Sequence, residues 1–248
     1  MTFAVLVIAA VALGAALQRV AGMGLGMSVA PVATVLIGPV AGVMVSNVAA
    51  IVAAAILAVM LRGDVDWRRF WTLVPLLLVG SVVGALVVRH VSTAVLDVVL
   101  GASVLVAIAA VLGTRRRLTV TGRGAVVVSG AVAGFMNTTA GVAGPAMAVY
   151  AVASRWDQRS FAATLQPIFL LANSASVVTK VVVGATPAEG LVPWWTWLAM
   201  CVAVPVGIAA GSVVSGRVGM GTARRVAIGV AATGGLVALV RGLLSWLG

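Results

Sequence analysis

Two clusters of amide, hydroxyl and glycine residues interrupt apolar segments of this chain, 119 residues apart. The first is Gln18-Arg19-Val20-Ala21-Gly22-Met23-Gly24-Leu25-Gly26, and the second is Asn137-Thr138-Thr139-Ala140-Gly141-Val142-Ala143-Gly144-Pro145. A glycine break inside an apolar segment exposes backbone, which at membrane depth is tolerated only where it is buried in protein or lines a cavity. It also frees amide N–H groups at the start of the following helix, whose positive dipole end attracts anions. Gly22, Gly24 and Gly26 on one side and Gly141, Gly144 and Pro145 on the other would supply two such ends. The structural alternative is that these small residues only let helices pack closely. Paired breaks in corresponding positions of two halves favour a transporter site.

The polar residues follow the same offset. Gln18 corresponds to Asn137, Arg19 to Thr138 and Asn47 to Gln166, with Thr139 beside Thr138. Amide side chains in lipid are costly unless satisfied and usually face the bundle interior. They line a site, or they make interhelical hydrogen bonds worth roughly 0.6–2 kcal/mol. Arg19 has two readings. On a fully spanning segment it is a boundary cation; on a dipping hairpin it sits near the midplane and grips an oxyanion with two parallel N–H groups. Gln166, Asn173 and Lys180 recur every seven residues and share one helix face. They line a polar vestibule, or they are two packing amides followed by a snorkelling lysine. The acidic residues Asp64, Asp66 and Asp157 fall in arginine-rich loops as surface pairs, and Asp97 suits a helix N-terminus.

Elements able to hold these groups follow from the composition. Of 248 residues 62% are hydrophobic and 8% charged, against about 25% charged in soluble domains. The chain is expected to be an all-α polytopic membrane protein in one integral domain, 1–248. Five apolar stretches are predicted per half: Thr2–Val20, Leu25–Ile37, Val40–Leu61, Trp71–Val88 and Thr93–Leu112, then Ala125–Thr139, Val142–Ala153, Phe161–Val183, Pro193–Ser215 and Ala223–Leu244. Met1–Leu17 lacks the basic start of a signal peptide and is expected to stay as a membrane segment. The second stretch of each half is too short to span comfortably, so it pairs with the first as a glycine-broken or re-entrant hairpin.

Connections around residues 19–24, 62–69, 113–123, 154–159 and 216–225 alternate to one side, and they hold 13 of the 16 Lys and Arg residues. Arg89, Lys180 and Arg241 lie on the other. By the positive-inside rule the basic side is cytoplasmic, and both termini are outside. An odd number of segments per half makes residues 1–113 and 123–248 two inverted-topology repeats, joined by the basic cytoplasmic loop 114–122. The net charge of +11 belongs to this bias rather than to nucleic acid. The seven tryptophans fall near segment ends, as in an interfacial belt.

The chain resembles the sulfite exporter TauE/SafE family, also called the toluene-sulfonate uptake permeases. The resemblance lies in Gly22-Met23-Gly24-Leu25-Gly26 with Pro31 downstream, in Val45-Ser46-Asn47, in Gly134-Phe135, in Gly141-Val142-Ala143-Gly144-Pro145 and in Ala162-Ala163-Thr164-Leu165-Gln166-Pro167. The second half departs from the usual pattern at Ala143-Gly144-Pro145 and at Tyr150, which stands where the first half has Pro31. The resemblance implies a bacterial inner-membrane permease for sulfite, sulfonates or related anions. Expected partners are a small anion and the lipid bilayer, without cofactor, metal or nucleic acid; a homo-oligomer is left open. A five-plus-five drug/metabolite-type exporter shares the segment count, and a non-transporting membrane assembly protein is the reading from another class. No nucleophile triad, zinc spacing or phosphate loop is present, which argues against an enzyme.

Overall fold

The computed structural model describes residues 2–22, 24–113, 123–187, 192–217 and 219–247. Met23, the basic loop 114–122 and Glu189 lie outside the described residues. Ten α-helices follow in chain order among those described: α1 (Thr2–Ala21), α2 (Leu25–Ile37), α3 (Pro39–Met60), α4 (Trp67–His90), α5 (Thr93–Gly113), α6 (Arg123–Ala140), α7 (Gly144–Ala153), α8 (Gln158–Val182), α9 (Trp194–Val214) and α10 (Met220–Leu247). With no strand among the described residues and six helices long and apolar enough to cross a membrane, the chain is an all-α polytopic membrane protein.

The helix limits have local causes. Asp66 caps α4 by accepting from Arg69 N at 3.0 Å, and Asp157 caps α8 by accepting from Ser160 N at 2.9 Å. These free first-turn N–H groups would otherwise lack partners. Gly22 ends α1 at φ +75° and Gly141 ends α6 at φ +72°, the left-handed conformation that only glycine adopts without strain. The helices that follow are short: α2 has 13 residues and α7 has 10. At about 1.5 Å per residue they reach about 20 and 15 Å, well under a hydrocarbon layer of roughly 30 Å.

Helix α4 packs chiefly on α6, α9 on α1 and α5 on α10, and α3 packs about equally on α2 and α8. Small residues set these contacts. A side chain at Gly84 of α4 would meet Thr138 of α6 at 2.9 Å, one at Gly211 of α9 would meet the Ala16 carbonyl at 2.7 Å, and one at Gly101 of α5 would meet the Gly235 carbonyl at 2.5 Å. Between helices whose outer faces meet lipid, association rests on such close backbone approach. Val7, Val11 and Ala15 of α1 are buried in a core with α2, α3 and α9, while Phe70, Leu73 and Leu77 of α4 pack with α6, α7 and α8.

At the ends of the bundle the polar pattern differs in part from the sequence expectation. Asp97 does more than favour a helix start: both its oxygens pair with Arg241, at 2.8 and 2.7 Å. Arg241 also donates to the Thr34 and Val35 carbonyls at the end of α2, so one guanidinium ties α5, α10 and α2. Asp64 pairs with Arg159 at 2.9 Å and Asp66 with Arg69 at 3.4 Å; Asp157 serves as a cap. Five of the tryptophans (Trp67, Trp71, Trp194, Trp195 and Trp246) are exposed on the outer face. Trp156 is instead buried, with the Arg69 guanidinium 4.5 Å over its ring, a contact worth more in such a desolvated position.

Candidate functional site

Helix α8 measures the depth of both breaks. Its 25 residues extend about 37 Å from the basic end, placing Gln166 about 12 Å along, Asn173 about 22 Å and Lys180 about 33 Å. Gln18, four residues before Gly22, donates from Nε2 to Gln166 Oε1 at 3.1 Å. Asn137, four residues before Gly141, donates from Nδ2 to Asn173 Oδ1 at 3.2 Å. The first break therefore reaches about one third of the way along a helix that is itself long enough to span, and the second reaches its middle.

The two breaks touch each other. A side chain at Gly26 would strike the Gly141 carbonyl oxygen, and one at Gly141 would sit 2.8 Å from the Ala30 side chain and 3.7 Å from Ser46 Oγ. Only glycine permits this approach of two interrupted backbones. Between them lies a cavity of about 20 Å³ lined by Gln18, Gly24, Gly26, Met27, Ala50, Asn137, Gly141, Val142, Ala143, Gly144, Phe169 and Asn173. That volume takes about one water molecule. The first turns of α2 and α7 both line it, so two positive helix ends and their unpaired amides face one space. Ser28 N is bonded to the Gly24 carbonyl at 2.9 Å, which leaves the α2 amides before Ser28 as the free donors. In α7 Pro145 removes one donor.

Gln166 is the most heavily bonded amide here. Besides accepting from Gln18, its Nε2 donates to the Gly22 carbonyl at 3.2 Å and to the Ala162 carbonyl at 3.0 Å. It thus holds the end of α1 rather than lining the cavity, and Gly22 stacks beside Ala162. Asn47 lies deep in the bundle, but its Nδ2 donates to Ser176 Oγ and it does not reach either break. Thr138 is fully buried against Gly84 of α4, and Thr139 returns its hydroxyl to the Phe135 carbonyl at 2.9 Å. Arg19 is half-buried on the α1–α9 seam, where Nε donates to Ser212 Oγ at 2.9 Å. Ser212 lies two residues from the end of α9, so Arg19 flanks the site on the basic side.

Of the twelve residues expected from sequence, Gln18, Gly24, Gly26, Asn137, Gly141 and Gly144 converge on the cavity. Gly22 and Gln166 support it, and Arg19, Asn47, Thr138 and Thr139 stand around it. Met27, Ala50, Val142, Ala143, Phe169 and Asn173 also line it and were not among those twelve. Of those outside the two glycine clusters only Asn173 carried a signal, its seven-residue spacing from Gln166; the apolar ones have none. Lys180 does not snorkel. Its side chain is fully covered by protein, and Nζ has no hydrogen-bond partner among the described residues. Among those residues no group of three or more His, Cys, Asp or Glu could hold a metal ion.

No curated protein and no solved structure matches the chain. One family model does, described as sulfite exporter TauE/SafE, and it matches residues 6–238, which include both breaks and every residue that lines the cavity. The chain therefore belongs to the sulfite exporter TauE/SafE family and is a multi-pass membrane transporter, not an enzyme.

Proposed function

We propose that this transporter carries a small anion, a sulfur-containing oxyanion or an organosulfonate, through the cavity between its two glycine breaks. Residues 1–113 and 123–248 act as inverted-topology repeats that rock about the site in alternating access. The observation that carries this reading is the meeting of two half-helix N-termini, α2 and α7, around one buried space. The amides of Gln18, Asn137 and Asn173 each keep a second N–H beyond the bond they already donate, and the first-turn backbone N–H groups add further donors. Neutral donors and positive dipole ends, without a carboxylate, suit an anion. The reciprocal packing of α4 on α6 and α9 on α1 supports the inverted repeat, because each half's fourth helix clasps the other half's first.

A cavity sized for one water is too small for a sulfur oxyanion. Loading then requires the breaks to part, which fits a closed state in a rocking cycle. Arg19, at the basic edge of the site, would draw the anion toward or away from it. On this reading the membrane is a bacterial inner membrane, and the charge bias supports basic connections in the cytoplasm and both termini outside.

The test is flux in proteoliposomes. Sulfite, thiosulfate and benzenesulfonate are offered to the full chain, and saturable uptake of at least one is expected. Flux of none of the three would contradict the substrate class.

A further inference from the structure

The polar face of α8 does not end at the cavity. Gln166, Asn173 and Ser176 are each buried and each matched from another helix, by Gln18, Asn137 and Asn47 respectively. Lys180 continues that face one turn beyond Ser176, equally buried, and its Nζ meets no partner among the described residues. The described carboxylates are engaged elsewhere: Asp64 with Arg159, Asp66 with Arg69, Asp97 with Arg241, and Asp157 on the Ser160 amide at the far end of α8. Just beyond it α8 closes, where Gly184 turns at φ +71° and Ala185 N donates to the Lys180 backbone carbonyl at 2.7 Å. A cation covered in this way is unfavourable unless something supplies the opposite charge.

Its neighbour prepares that place for an anion. Asn47 Nδ2 donates to Ser176 Oγ, which occupies an acceptor position and leaves the serine proton to be given away. Residues four apart adjoin on a helix face, so the serine hydroxyl and the lysine ammonium offer donors side by side. Asn47 Oδ1 is buried without a partner as well. The geometry points to Lys180 and Ser176 as a second anion station, about 10 Å along α8 from Asn173 toward its outer end. An anion leaving the central cavity in that direction meets the Lys180 side chain before it reaches the outer face. The inference rests on the transport reading for its substrate class, not for its geometry.

Purified wild type, Lys180→Met, Lys180→Arg, Ser176→Ala and Glu189→Gln are melted in a buffer of large organic anions, with and without sulfite. Lys180→Met should melt several degrees above wild type without sulfite, because the uncompensated charge is gone, and sulfite should close or reverse that gap. In proteoliposomes its KM for sulfite should rise at least tenfold and that of Ser176→Ala about threefold, with Lys180→Arg close to wild type. A gap between wild type and Lys180→Met that sulfite leaves unchanged overturns the station. So do Lys180→Met and Glu189→Gln variants that both melt below wild type, since each would then have lost one partner of an internal ion pair. Absence of flux together with a sulfite-sensitive gap refutes the transport reading and keeps the station. Normal flux with an insensitive gap does the reverse.

Discussion

At the first glycine break Gly22 N donates to the Gln18 carbonyl at 2.9 Å, and at the second Gly141 N donates to the Asn137 carbonyl at 2.9 Å. The two glycines share the left-handed conformation to within a few degrees, and each closes its helix four residues after an amide side chain. Beyond that closure the breaks part company. The amide of the first stops at Gln166, near the basic end of α8, and the amide of the second reaches Asn173, seven residues farther along. The first break is also tethered from behind, because Arg241 holds the end of α2; α7 ends in a turn closed by its own backbone, Ser154 N on the Tyr150 carbonyl at 2.8 Å. Backbone form is thus a local property that both breaks share. Depth and anchorage are tertiary properties that distinguish them, and they make the second break the freer one to move.

The largest effect is expected where the two breaks touch. Gly26→Ala drives a methyl group into the Gly141 carbonyl, a backbone obstacle that cannot rotate away. The cost should reach or exceed the roughly 1–3 kcal/mol of ordinary overpacking, with transport abolished. A near-normal melting point and flux would mean that the breaks are not in contact. Next is the tether. Arg241→Met leaves the nearly buried Asp97 without its partner and takes one donor each from the Thr34 and Val35 carbonyls, and with the guanidinium itself about one-third exposed the loss should be about 1–3 kcal/mol. Hydrogen exchange should then rise at α2 and not at α7. A rise at both would erase the distinction in anchorage.

The smallest effect separates the two turns themselves. Alanine in the left-handed conformation costs about 1–2 kcal/mol at either glycine. At Gly141 the new methyl also sits 2.8 Å from the Ala30 side chain, whereas at Gly22 it clears Ala162 at 3.3 Å. Gly141→Ala should therefore melt below Gly22→Ala, and equal melting points would show that the crowding at the second break is relieved by small shifts.

Much of this is legible in the sequence. The apolar stretches found nine of the ten helices to within about three residues at each end, since length and uniform apolarity in a membrane leave few alternatives. Helix α4 begins earlier than the apolar run, at Trp67, because the Asp66 cap and the aromatic cluster of Trp67, Phe70 and Trp71 stabilise a polar first turn. The glycine breaks were legible because only glycine meets their backbone demand. Which amide meets which was not: Asn47 and Gln166 occupy corresponding positions, yet Gln166 reaches a break and Asn47 reaches Ser176. That choice depends on helix rotation and on side-chain length, neither of which a spacing encodes. Arg241 gave no sign of its pairing either, because Asp97 lies 144 residues away.

The central claim is that an anion binds between the two breaks, and sulfite-dependent thermal stabilisation of Gln18→Ala and Asn137→Ala tests it most directly. Each variant loses one interhelical amide bond, a stability change of roughly 0.6–2 kcal/mol that leaves the protein folded. A ligand that binds only the folded state raises its melting point. In a Lys180→Met background, where the outer station is gone, the protein should gain several degrees on adding sulfite, and both variants should lose most of that gain. A gain retained in full by both would place the anion somewhere other than the paired breaks.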